Sequence, residues 1–166
     1  MAEPLIKQKD EGKKILGAIK SSREKKDDAV AGDNVKLNAA QIIEMSAANE
    51  VPGKGQEVVQ GVGYMIQKGM AQLLQIGNTV FLLQPKEPGT VEFHTFTVEP
   101  PADLVERYKA GINSIKQMGF RKAVSYATSP AFVKIAKQTG LPVQITQSQV
   151  MQGDKMVPAY KFEVSV

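Results

Sequence analysis

The stretch VEFHTFTVEPPADLVERYK, residues 91–109, holds the side chains best placed by type for chemistry. His94 is the only histidine of the chain and lies on a predicted strand beside Glu92 and Phe93. Imidazole and carboxylate groups are the usual general bases. A lone histidine on a two-sided strand serves more often as a hydrogen-bonded structural residue. The strand breaks at Glu99, Pro100, Pro101, Ala102 and Asp103, and a helical pattern follows. Strand-to-helix junctions are anion sites when backbone N–H groups converge there under the field of the helix. Such junctions are usually rich in glycine; this one carries two prolines and two carboxylates.

Other chemistries are excluded or weak. The 166 residues include no cysteine, which removes disulfides, thiolate catalysis and zinc–sulfur sites. With one histidine, a metal site would need clustered carboxylates, and no spaced Asp/Glu cluster is present. The Gly-x-Gly pair in QGVGYM, residues 60–65, sits inside a helical apolar pattern rather than after a strand, so it does not fit a phosphate loop. Gly61, Gly63 and Gly69 are expected to permit close packing of a neighbouring helix or subunit. Met65, Met70, Met118, Met151 and Met156 are expected to fill the core or its contacts.

Composition bounds the partners. The net charge is +4, from 21 basic and 17 acidic residues that are mostly interleaved, as in REKKDD at 23–28. A duplex-binding surface would cluster its Lys and Arg, so nucleic-acid binding is not expected. No apolar run approaches the length of a membrane span, and the first residues lack the apolar core of a secretory signal. Membrane insertion is not expected either.

These residues need elements to position them. Residues 1–36 are polar, contain no aromatic residue and read as an arm, flexible or bound to a partner. Leu5, Ile6, Ile15, Leu16 and Ile19 are its candidate anchors. Residues 37–166 read as one domain. A helix is predicted over 37–50, with Asn38 as cap and Ile42, Ile43 and Met45 as apolar contacts. A longer helix is predicted over about 56–76, stopped by Gly77-Asn78. TVFLLQ at 79–84 has the continuous apolar run of a buried strand, and 91–99 forms a second strand, antiparallel to it. A helix over 103–118 has Asp103 as cap or first-turn residue. A strand at 122–127 precedes a helix opened by Ser129-Pro130 and ended by Gly140. Strands at 141–148 and 159–166 flank a turn at 152–155.

That order, carried by VEFHTFTV, LVERYKAGINSIKQMGFRKAVSYAT and SPAFVKIAKQTGLPV, resembles the GNAT superfamily of N-acetyltransferases over residues 79–166. The resemblance implies an α/β fold of the α+β kind, with a mixed, mostly antiparallel sheet flanked by helices. It also implies an acetyl-coenzyme A site at the junction after the central strand. Family enzymes hold the pyrophosphate there with a Gln/Arg-x-x-Gly-x-Gly/Ala loop, and the matching residues here are Glu99, Pro100, Pro101, Ala102 and Asp103. Prolines have no N–H to donate. The tyrosine that many members use as general acid falls on Ala136. Glu92, His94 or Glu99 would be the base of an active member, and Tyr126 a substitute acid; a packed aromatic is the plainer role for Tyr126.

Three functions follow. The expected one is a non-catalytic acetyltransferase-like module, a structural or interaction protein without cofactor or metal. It would work in multiple copies with protein partners, as a virion component of a tailed bacteriophage. The resemblance alone suggests that source, and a chain from elsewhere would be cytoplasmic. The alternatives are an active acetyl-coenzyme A-dependent N-acetyltransferase and a small nucleic-acid or host-factor binder.

Overall fold

A computed structural model describes residues 36–166. The arm anchors Leu5, Ile6, Ile15, Leu16 and Ile19 lie outside the described residues. Within them run α1 (Ala39–Glu50), α2 (Gly55–Gln67), β1 (Gln72–Ile76), β2 (Thr79–Pro85) and β3 (Thr90–Thr97). Then come α3 (Pro101–Gln117), β4 (Lys122–Ala127), α4 (Ala131–Gln138), β5 (Val143–Gln152) and β6 (Lys155–Ser165). The strands form one sheet in the order β1-β2-β3-β4-β6-β5. β3 and β4 are parallel, while β1–β2, β4–β6 and β5–β6 are antiparallel. This is the mixed, mostly antiparallel sheet with helices that the sequence predicts.

Contacts divide these residues into two compact units. One holds residues 36–83 together with Thr95–Glu99; the other holds Gln84–His94 and Pro100–Val166.

In the first unit, α1 starts at a reciprocal cap. The Asn38 side chain accepts from the Gln41 N–H at 2.9 Å, and the Gln41 side chain accepts from the Asn38 N–H at 3.0 Å. Ala40, Ile42 and Ile43 then pack with Val59, Val62 and Ile66 of α2 and with Val80 and Leu82 of β2. Each fully buried Val, Leu or Ile contributes roughly 1.5–3 kcal/mol. Met45, expected among the contacts, is solvent-exposed instead.

The long helix predicted to about residue 76 is divided. α2 ends at Gln67 because Gly69 takes a left-handed φ of +73°, the conformation of a residue just past a helix C-terminus. Leu73 and Leu74 then extend as β1 rather than continuing the helix. The register Ile76↔Thr79 leaves Gly77-Asn78 as a two-residue hairpin turn, with Gly77 at φ +61°. Of the glycines expected to permit close packing, Gly63 is buried in α2. Gly61 is exposed, with nothing within 4 Å of a would-be Cβ. At Gly55 a Cβ would lie 2.5 Å from the carbonyl oxygen of Glu44, because the first turn of α2 abuts α1 there.

In the second unit Val91, Phe93, Ala123, Phe162 and Val164 of the strands are buried, as are Leu104, Ile112 and Ile115 of α3 and Ile135 of α4. α3 starts at Pro101, two residues ahead of the prediction. A proline at the first helical position loses no helix hydrogen bond. Gly140, at φ +70°, follows the C-cap of α4 as predicted. β5 and β6 are longer than predicted, joined by the two-residue turn Gly153-Asp154. β4 pairs with β6 only from Tyr160 to Ser165, so Lys155–Ala159 pair with β5 alone. Met151 and Met156 face each other across that ribbon and are exposed, as is Met70 of the first unit; none of the three is core.

Candidate functional site

The parallel pair β3–β4 is registered over only three positions, Thr90↔Lys122, Val91↔Ala123 and Glu92↔Val124. Beyond them the backbone pairing stops. The Phe93 carbonyl is satisfied by a side chain instead, accepting from the Ser125 hydroxyl at 2.9 Å. Phe93 lies against Tyr108 of α3, with ring centroids 6.4 Å apart and planes inclined at 56°.

Glu92 is placed by strand alternation on the sheet face opposite the buried Val91 and Phe93. Across the sheet it is in register with Val124 and Glu163, and Tyr126 is in register with Lys161. Glu92 and Tyr126 thus line one open hollow of about 270 Å³, with Lys86, Lys122, Lys161 and Glu163 among its other walls. The hollow is neutralised from within. Lys86 Nζ sits 3.2 Å from Glu92 Oε2, and Lys161 Nζ sits 3.3 Å from Glu163 Oε1. Glu92 is thus ion-paired with the Lys86 ammonium. His94 is exposed and does not line this hollow. Of the four catalytic candidates, only Glu92 and Tyr126 line this hollow; His94 and Glu99 do not.

The junction at 99–103 is built as a helix start. Pro100 is the N-cap, with φ −67° and ψ 156°, and Pro101 is the first helical residue. Of the four N–H groups that a helix start normally leaves over, two are absent because the residues are proline. The Asp103 N–H is turned back to the Pro100 carbonyl at 3.0 Å. Only the Ala102 N–H remains to meet an anion. Asp103 lies in the first turn, where the helix field favours its carboxylate and where an incoming phosphate would meet like charge.

Glu99 has a separate role in the first unit. Its N–H donates to Thr97 Oγ1 at 3.0 Å, and its Oε2 accepts from the Thr79 hydroxyl at 2.6 Å. Thr79 Oγ1 and Thr97 Oγ1 are 2.8 Å apart. A Thr97 hydroxyl donating to Thr79 closes a ring in which each hydroxyl gives one proton and accepts one. The Thr97 N–H donates to Ser46 Oγ at 3.1 Å, which ties the ring to α1. The sequence assigned Glu99 to the cofactor junction. Thr79, Thr97 and Ser46 carried no local motif that would have linked them to it.

Elsewhere, Ala136 occupies the position of the expected acidic hydroxyl, and its carbonyl accepts from the Thr139 hydroxyl at 2.6 Å. No group of three or more potential metal ligands occurs among the described residues. No helix among them is long and apolar enough to cross a membrane.

Solved structures share this architecture. The spermidine N-acetyltransferase SpeG of Vibrio cholerae, in a mutant form, superposes with TM-score 0.57 at 7% identity, over 79% of this chain and 93% of that one. The microcin C7 self-immunity acetyltransferase MccE, in complex with acetyl-CoA and AMP, gives TM-score 0.55 at 9% identity over 76% and 84%. An IAA acetyltransferase from Bacillus cereus gives 0.51 at 10% identity over 78% and 93%. The fold is that of the GNAT acetyltransferases. No protein-family profile and no curated protein matches the chain in sequence. Within the GNAT fold, the junction at the start of α3 is where the resemblance places acetyl-coenzyme A. The residues present do not fit its pyrophosphate: two donors are missing, one is used internally, and Asp103 adds negative charge.

Proposed function

We propose that this chain is a GNAT-fold module that has given up acetyl transfer and works as a structural or interaction protein. The observation that carries this reading is the start of α3, where Pro100 and Pro101 remove the N–H groups a pyrophosphate requires. Ala136 in place of the acidic hydroxyl and the ion pairing of Glu92 support it further. The arm at 1–36, with Leu5, Ile6, Ile15, Leu16 and Ile19, is the segment assigned to partner binding, and deleting it should abolish assembly without unfolding the domain. A repeated component of a bacteriophage virion is one setting for such a module; only the sequence resemblance supports that setting.

The competing reading is an active acetyl-coenzyme A-dependent N-acetyltransferase. The shared fold favours it, because the solved structures with this architecture include acetyltransferases. Acetyl-coenzyme A titration by calorimetry and thermal shift separates the two. A ligand at about a hundred times its Kd stabilises the native state by about 2.7 kcal/mol. The non-catalytic reading expects no heat and no shift. A saturable heat with a matching rise in melting temperature would overturn it in favour of the enzyme.

A further inference from the structure

Both backbone polar groups of Leu37 are held by side chains of the β1–β2 hairpin. The Leu37 N–H donates to Asn78 Oδ1 at 3.0 Å, and the Leu37 carbonyl accepts from Gln75 Nε2 at 2.9 Å. The same Nε2 donates to the Gly77 carbonyl at 3.1 Å, which fixes the amide across the turn. The Leu37 side chain packs against the apolar core of the first unit. Leu37 stands one residue before Asn38, the N-cap of α1, so the helix itself supplies neither of its backbone groups with a partner. The turn does not require either side chain. Gly77 takes the left-handed φ of +61°, and no described non-glycine residue has a positive φ, so the turn does not use the tolerance of asparagine for that backbone. Gln75 pairs with Val80 through the strand ladder whatever its side chain. The hairpin turn is itself tied down, because the Val98 N–H donates to the Asn78 carbonyl at 3.4 Å.

We infer that Gln75 and Asn78 form a clasp on Leu37 that keeps opening of the chain at residue 36 from spreading into α1. The first turn of α1 is where such opening would act. Helix ends fray, and the cap that starts this helix, Asn38 with Gln41, is exposed. Any opening from the N-terminal side must pass through Leu37. There it must break two hydrogen bonds and an apolar contact at once, made with partners far away in sequence. Without the clasp only the apolar contact would resist. Gln75 and Asn78 are thus positioning residues that act through Leu37. For residues 1–36, read as a partner-binding arm, the clasp supplies a fixed root. That use rests on the proposed function; the clasp itself does not, and it is tested without a partner. An arm deletion that failed to abolish assembly would leave the clasp standing, and disproof of the clasp would leave the role of the arm standing.

Hydrogen exchange of the full chain, read at single amides by NMR, tests the clasp. In the unaltered chain the Leu37 amide and the Ile42 amide, which donates to the Asn38 carbonyl at 3.1 Å, should both be protected. In the double variant Gln75→Met with Asn78→Ala, two hydrogen bonds are lost and Leu37 should exchange about tenfold faster or more. The acceleration should run on into Ile42. The Val51 amide at the other end of α1, bonded to the Ala47 carbonyl at 2.9 Å, should keep its rate, which separates local opening from a general loss of stability. Asn78→Asp keeps an oxygen for the Leu37 N–H and should keep its protection. Trypsin reads the same opening at the Lys36–Leu37 bond, which it should cut about tenfold faster in the double variant. A Leu37 amide that exchanges at the unstructured rate in the unaltered chain overturns the inference, whether or not the variants fold. So does a double variant in which Ile42 keeps its rate, or one in which Ile42 and Val51 accelerate alike.

Discussion

The hydroxyl of Ser125 on β4 donates to the carbonyl of Phe93 on β3 at 2.9 Å, one position past the last registered pair of the two strands. This part-buried hydrogen bond contributes about 0.5–1.5 kcal/mol, the net worth of a typical intramolecular hydrogen bond. Ser125→Ala should therefore destabilise the protein by about that amount in urea unfolding. Ser125→Thr, which keeps the hydroxyl, should recover most of the loss. A neutral Ser125→Ala would mean that the opening is held by packing alone.

Thr79 is fully buried, and its hydroxyl stands between Glu99 and Thr97. Thr79→Val keeps the shape and removes the hydroxyl, leaving a carboxylate and a second hydroxyl each short of a partner. Denaturant titration should register a loss of about 1–3 kcal/mol. Ser46→Ala should lose less, since it removes the acceptor of a single N–H, that of Thr97.

Two glycines of α2 should respond in opposite directions. Gly61→Ala adds a methyl group to open space in an exposed helix interior and should stabilise by roughly 0.5–1 kcal/mol. Gly55→Ala forces a Cβ to within 2.5 Å of the Glu44 carbonyl oxygen. A backbone atom cannot yield as a flexible side chain can, and the expected cost is about 1–3 kcal/mol. Melting temperatures of the two variants, measured side by side, check both signs.

Much of this fold is legible in the residues. The apolar run Thr79–Gln84 announces a buried strand, Asn38 marks a helix start, and Gly140 marks a helix end. β1 was hidden because Leu73 and Leu74 continue the helical spacing of Val62, Ile66 and Met70. Gly77-Asn78 also suits a helix stop as well as a hairpin turn. At the candidate site, the two prolines could be read directly, because loss of a donor is a property of the residue itself. The ring of Ser46, Thr79, Thr97 and Glu99 could not. It joins residues up to 53 positions apart, and no local pattern encodes strand order. The hollow around Glu92 and Tyr126 was hidden for the same reason: Lys161 and Glu163 arrive only once β6 has inserted between β4 and β5.

The first compact unit is assembled from residues on both sides of an eleven-residue excursion, Gln84–His94, that belongs to the second. Thr79 is synthesised well before its partners Thr97 and Glu99. During translation the helical pair α1–α2 and the hairpin β1–β2 can gather as soon as they emerge, yet Thr79 must wait for residue 99 before its hydroxyl is satisfied. A nascent chain halted at Leu83 would hold the buried apolar residues of this core and lack both Phe96, which packs against them, and the ring that completes it. Vectorial synthesis thus makes Glu99, the residue just before the two prolines, the last component this unit requires.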